Sequence, residues 1–138
     1  MRREFSRKST TFMLLKHALA TVLLSLSFAM PVPAGPLEDA NAAIKRRDYA
    51  TAVRLNRPLA EQGNANAQYN LGTFYDNGLG VPQDKVRAYM WFSLSAAQGR
   101  EGAAALRDLI ARRMTPAQIA EAQKLAREWK SNPQSPSR

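Results

Sequence analysis

Along most of the chain after residue 36, apolar side chains recur every three or four positions, which predicts α-helix rather than strand. Leu37–Arg47 gathers Ala40, Ala43 and Ile44 on one face, and the segment from about Tyr49 to Gln62 gathers Ala52, Val53, Leu55, Leu59 and Ala60. Pro58 lies inside the second pattern. Proline has no N–H and its ring presses on the preceding turn, so a kink or break is expected near Asn56–Pro58. Gly63 then ends the helix in a left-handed conformation.

The next helix, about Ala65–Asn77, is capped by Asn64 or Asn66 and carries an apolar stripe of Ala67, Leu71, Phe74 and Tyr75. Gly78, Gly80 and Pro82 mark a tight loop. Asp84 stands where it caps a helix running to about Gln98, with Ala88, Trp91, Phe92 and Ala96 inward and Gly99 closing it. A further helix is expected over about Glu101–Arg113. Thr115, Pro116 and Gln118 then supply an N-cap, a first-turn proline and the second half of a capping box. They open a last helix with Ile119, Ala122, Leu125, Ala126 and Trp129 inward.

This pattern repeats. Asp48, Ala52, Ala60, Gln62 and Gly63 return thirty-six residues later as Asp84, Ala88, Ala96, Gln98 and Gly99. A fixed period of this length signals stacked units, each too small to bury its own apolar face. The copy fades after Gly99, where Leu71 and Gly72 correspond to Arg107 and Asp108.

Between the copies lie Ala67, Leu71-Gly72, Tyr75 and Gly78-x-Gly80-Val81-Pro82-x-Asp84, and the motif runs on through Ala88, Trp91 and Ala96-Ala97-x-Gly99. Together they resemble the Sel1-like repeat, a relative of the tetratricopeptide repeat built from two antiparallel helices. The resemblance covers one full repeat, about 64–99, and a preceding partial one, about 37–63. It implies an all-α fold: αα-hairpins stacked as a short right-handed superhelix, with helices at about 101–130 as a C-terminal capping pair. It also implies that Gly72 lets the partner helix approach closely, and that the first helix of each pair lines the concave face. So few repeats are expected to leave apolar surface for a partner to cover.

Charge changes this picture little. The chain has 138 residues with 20 basic and 11 acidic side chains, a net charge of +9. Part of that belongs to a leader. Arg2, Arg3, Arg7, Lys8 and Lys16 precede a thirteen-residue apolar run, Ala18–Met30, followed by Val32 and Ala34. These features read as a secretory signal peptide over 1–34, with an uncleaved inner-membrane anchor as the alternative. The run is short for a membrane span, which takes about 20 apolar residues. Arg2-Arg3-Glu4-Phe5 resembles a twin-arginine signal, but the general secretory route is expected; a start at Met13 leaves an ordinary signal too. Taking five basic residues and Glu4 from the totals leaves fifteen against ten, a net charge of +5. A periplasmic or secreted protein with a disordered tail over 131–138 is expected. No stable membrane span is expected after cleavage.

The side chains left for chemistry are few. The chain has no cysteine, and its one histidine is His17, within the leader. Imidazole bases, thiol nucleophiles and the usual zinc sites are therefore excluded from the expected mature chain. Asp76 and Asp84 bracket the loop, but Asp84 reads as a helix cap and Asp76 as a polar neighbour. Gly78-x-Gly80 lacks the third glycine and the phosphate lysine of a nucleotide loop. Trp91 and Trp129 fall on apolar faces, and Arg112-Arg113 suits the carbonyl end of its helix. Neither an enzyme nor a bound cofactor or metal is expected.

What remains is a surface. With Ala67, Leu71, Phe74 and Tyr75 inward, the helix turns Asn66, Tyr69, Thr73 and Asp76 outward, with Asn77 beside them. These residues are the candidate partner-binding face of a protein–protein interaction module, its partner unnamed by the sequence. Ala67, Leu71, Gly72, Tyr75, Gly78, Gly80, Asp84, Ala88, Trp91, Ala96 and Gly99 are the structural motif. A glycan-binding or hydrolase-like envelope protein is the alternative, favoured by an exposed indole beside Asp76 and opposed by buried indoles. Self-association and weak contact with anionic glycans stay open; export argues against nucleic acid.

Overall fold

The computed structural model describes residues 34–131. All but residue 34 of the expected leader and all but Ser131 of the expected C-terminal tail lie outside them; Ser131 ends the last helix. Six helices and no strands make up the described residues: α1 Pro36–Lys45, α2 Tyr49–Glu61, α3 Ala65–Asn77, α4 Lys85–Ala97, α5 Ala103–Ala111 and α6 Pro116–Ser131. None is long and apolar enough to cross a membrane.

Local sequence sets most of the boundaries. In α1, Pro36 opens the first turn, Glu38 and Asp39 sit at the positive end of the helix dipole and Lys45 at the negative end. Side-chain oxygens cap the next three helices in the same way. Asp48 accepts from the Thr51 amide at 3.2 Å, Asn64 from Ala67 at 2.9 Å and Asp84 from Arg87 at 3.0 Å. Before α6 the capping box closes reciprocally: Thr115 N–H donates to Gln118 Oε1 at 2.9 Å and Gln118 N–H to Thr115 Oγ1 at 3.2 Å. Glycines with positive φ end the helices, Gly63 at 89° after α2, Gly78 at 66° after α3 and Gly99 at 79° after α4.

The expected break at Pro58 is absent: α2 runs unbroken through it. Pro58 falls in the last turn, and both it and Arg54, whose carbonyl loses its amide partner, are exposed to water. The helix before the capping box is also shorter than expected, Ala103–Ala111 rather than Glu101–Arg113, because Gly102 takes a left-handed φ of 79° ahead of it.

Packing follows the chain. α1 lies on α2, α2 on α3 and α3 on α4, while α4 also takes α5 and α6. The last two helices thus close the array by both resting on α4. That position explains a second departure from the sequence reading. α4 buries Ala88, Tyr89, Met90, Trp91, Phe92, Leu94 and Ser95, a much wider arc than a single apolar stripe. A helix contacted on several sides needs apolar side chains on all of them. Ala96 is half-buried rather than buried, as are Leu55 and Leu59 of α2. The core centres on Leu71, Phe74 and Phe92 between α3 and α4, extending to Ala52 and Val53 on one side and Ile110 and Ala122 on the other. Gly72 permits this approach, since a Cβ there would stand 2.6 Å from Phe92 Cδ1.

Side-chain hydrogen bonds cross-link the layers. Asn56, fully buried, donates to its own helix at Ala52 O and accepts from Asn70 Nδ2 of α3 at 3.0 Å. Gln68 donates to Ala60 O and accepts from Gln98 Nε2 at 2.7 Å, and Ser95 Oγ reaches Ala65 O at 2.7 Å. Buried polar groups satisfied in this way fix which faces can meet. Little large apolar surface is fully exposed: among the described residues, Leu109 on α5 is the exposed large hydrophobic side chain.

The Asp48 cap carries a pH signature. The hydrogen bonds from Thr51 hold its carboxyl below the ordinary 3.8. A carboxyl with a depressed folded-state pKa contributes stability that is complete above its unfolded value and lost as pH falls through the folded one. We expect Asp48→Asn, which keeps a capping oxygen, to flatten the thermal midpoint below about pH 4 relative to the parent chain. Melts of both proteins from pH 6 to pH 2 check this, and parallel acid limbs would rule it out.

Candidate interaction face

Asn66, Tyr69, Asn70, Thr73, Asp76 and Asn77 share one side of α3, because the opposite side is taken by Ala67, Gln68, Leu71, Gly72, Phe74 and Tyr75. The expected division of the helix therefore holds. Its consequence differs from a row of free side chains, since all five candidate residues have partners within the protein.

Two arginines flanking α5 do most of this work. At the start of α3, Arg100 Nε donates to Asn66 Oδ1 at 2.7 Å, and its guanidinium lies 4.4 Å from the centre of the Tyr69 ring. Its Nη1 donates to Glu101 O, across the turn into α5. At the far end of α3, Arg113 Nη2 contacts Asp76 Oδ1 at 2.7 Å, and Lys85 Nζ donates to the Arg113 carbonyl at 3.3 Å. The side chain of Asp76 is only 18% exposed, so its ion pair is better shielded than most surface pairs. Arg113 was expected to serve the carbonyl end of its own helix; instead it reaches back to α3.

Between these clamps the face is ordered by α3 itself. Thr73 Oγ1 donates to Tyr69 O and Asn77 Nδ2 to Thr73 O. Tyr69 also packs edge-on against Phe92 at 5.8 Å, while Gly102 leaves room beside its ring. Tyr69 is thus half-buried between repeats, while Asn66 and Asn77 are exposed and Thr73 and Asp76 half-buried. Several polar atoms stay unspent: the Asn66 amide nitrogen, the Asn77 carbonyl oxygen and the second oxygen of Asp76 have no described partner. We expect the Arg100→Ala, Arg113→Ala pair to cost about 1–2 kcal/mol and to speed amide exchange in α5 more than in α1. Uniform exchange across both helices would contradict the clamp.

Among the motif residues, Ala96 is half-buried and Gly72 is buried. Ala67, Leu71, Tyr75, Ala88 and Trp91 are buried; Gly78, Gly80 and Gly99 take positive φ, and Asp84 caps α4. Residues 65–99 match the Sel1 repeat family model. The chain carries a Sel1 repeat. No curated protein matches the chain. Sel1 repeats generally mediate protein–protein interaction and are typically non-catalytic.

The geometry counts against the glycan alternative. Trp91 is 5% exposed, and Trp129 packs on it edge to face at 5.0 Å with its own indole N–H buried. A sugar platform needs an open ring face beside a carboxylate. Asp76 is instead committed to Arg113, and Asp84 to the cap and to Arg87 at 3.5 Å.

Proposed function

We propose that this chain is a non-catalytic protein–protein interaction module of the periplasm or cell envelope, exported by the leader over residues 1–34. It binds a partner protein on the face of α3 that carries Asn66, Thr73, Asp76 and Asn77. The observation that carries this reading is the clamped α3 of the Sel1 repeat. Arg100 and Arg113 hold both of its ends, so the exposed amides and the half-buried Asp76 carboxylate present fixed, partly unused hydrogen-bonding atoms. A pre-ordered face loses little conformational freedom on binding, which leaves more of the contact energy as affinity. Tyr69 acts in this reading as support for the face, held under Arg100, and not as the anchor that enters a partner.

The test is photo-crosslinking in the cell with the probe at Asn66 or Asn77 and a control at Arg54, which is exposed on α2. A dominant protein captured from both α3 positions and absent at Arg54 is the expected result; equal capture at all three positions overturns the assignment of the face. A second copy of the chain as the captured species makes the module a homo-oligomer. Fractionation of the same cells checks the compartment: the chain is expected in the periplasmic fraction, shortened by the leader, and full-length chain in the cytoplasm overturns the export reading.

A further inference from the structure

A second concave region lies on the other helix of each pair. α2, α4 and α6 enclose a groove of about 700 Å³, with α4 as its floor and the other two as walls. The floor is apolar and aromatic, made by Met90 and Trp91 with Trp129 of α6 beside them. Its charges are unevenly satisfied. Arg57 donates to the Tyr75 hydroxyl at 3.3 Å, and Arg87 lies over the Tyr75 ring and pairs with Asp84. Among the described residues, Glu61 on the α2 wall and Glu121 on the α6 wall have no ion pair or side-chain hydrogen bond. The groove thus pairs an aromatic floor with two unspent carboxylates, in a chain whose net charge is +9.

We propose that this groove is a docking site for a basic segment of a partner protein. A lysine or arginine stem lies along Met90 and the indole edges, with its cation between Glu61 and Glu121. Such side chains cover apolar surface with their methylenes while keeping the charge at the rim. An acidic segment meets the same carboxylates as repulsion, so the sign of the guest is the discriminating feature. The site is independent of the α3 face.

The two tryptophans of the chain both line the groove, so intrinsic fluorescence reports its occupancy directly. The full chain is titrated with the peptide acetyl-ALKAKLA-amide and with acetyl-ALEAELA-amide. A saturable change in tryptophan emission with the lysine peptide and none with the glutamate peptide is expected. Glu61→Gln with Glu121→Gln is expected to weaken the lysine peptide about fivefold or more. Asp39→Asn with Glu101→Gln, which removes the same charge elsewhere, leaves it unchanged. No saturable change, equal response to both peptides, or equal weakening in the two double variants overturns the proposal. Circular dichroism of both double variants establishes that each retains its helices. Crosslinking at Asn66 and Asn77 is unaffected by either result.

Discussion

Replacing Gly80 with alanine is expected to lower the thermal midpoint by roughly 12–24 °C, the equivalent of about 3 kcal/mol in a domain of this size. Two costs coincide at this position. Gly80 has a φ of 69°, where a Cβ crowds its own carbonyl, and that Cβ would also stand 2.5 Å from Tyr49 O and 2.9 Å from Ala50 N. Those atoms belong to the first turn of α2 and are fixed by the helix, so nothing flexible can give way. The left-handed backbone costs about 1–2 kcal/mol and the overlap about 1–3 kcal/mol. Gly99 separates the two terms. Its φ of 79° is similar but no atom lies within 4 Å of its Cβ position, so Gly99→Ala bears the conformational cost alone. Denaturant midpoints of both variants decide the matter: equal losses would mean that the α3–α4 loop does not rest on α2 as described.

That loop contact marks the boundary between what sequence discloses here and what it does not. The caps at Asn64, Asp84 and Thr115 were readable because donor and acceptor stand three residues apart. So was Gly72, where the family resemblance implied a close helix approach. The clamps were not: Arg100 meets Asn66 and Arg113 meets Asp76 across 34 and 37 residues, where the second repeat has decayed and offers no register. An arginine next to a carbonyl end reads locally as a dipole partner, and only the packing of α5 on α4, which carries Arg113 to the end of α3, redirects it. The breadth of α4 was hidden for a related reason. Its periodicity predicts one buried stripe, but three other helices rest on it, so Tyr89, Met90 and Leu94 are buried as well. Pro58 erred in the opposite direction, because local chemistry forbids a helix interior but tolerates a last turn open to water. The candidate face was therefore legible as a set of residues, while its ordering by distant arginines was not.

The Phe92–Gly72 contact links stability to that ordering, and Phe92→Ala is expected to cost about 4 kcal/mol. Phe92 is 1% exposed, fills the space left by Gly72 and supports the edge of the Tyr69 ring. Its removal leaves a cavity between α3 and α4, where the core is centred. A loss this large takes much of a small domain's stability, so a milder pair tests the geometry. In the parent chain Gly72→Ala forces a methyl to within 2.6 Å of the ring, an overlap costing about 1–3 kcal/mol against a helix-propensity gain of about 1 kcal/mol. In the Phe92→Leu background the rigid ring gives way to a shorter side chain that can turn its methyls from the glycine, leaving only the looser contact at Cγ, so the propensity gain is no longer outweighed. Gly72→Ala is therefore expected to be destabilising in the first background and neutral or stabilising in the second, a coupling of about 1–2 kcal/mol. Urea unfolding of the four proteins measures it, and the same loss in both backgrounds would show that the ring does not occupy the glycine's space. Because the ring also braces Tyr69 beneath Arg100, crosslinking from Asn66 should fall in Phe92→Leu even where the protein remains folded. Retained capture would mean that the α3 face binds its partner without needing that support.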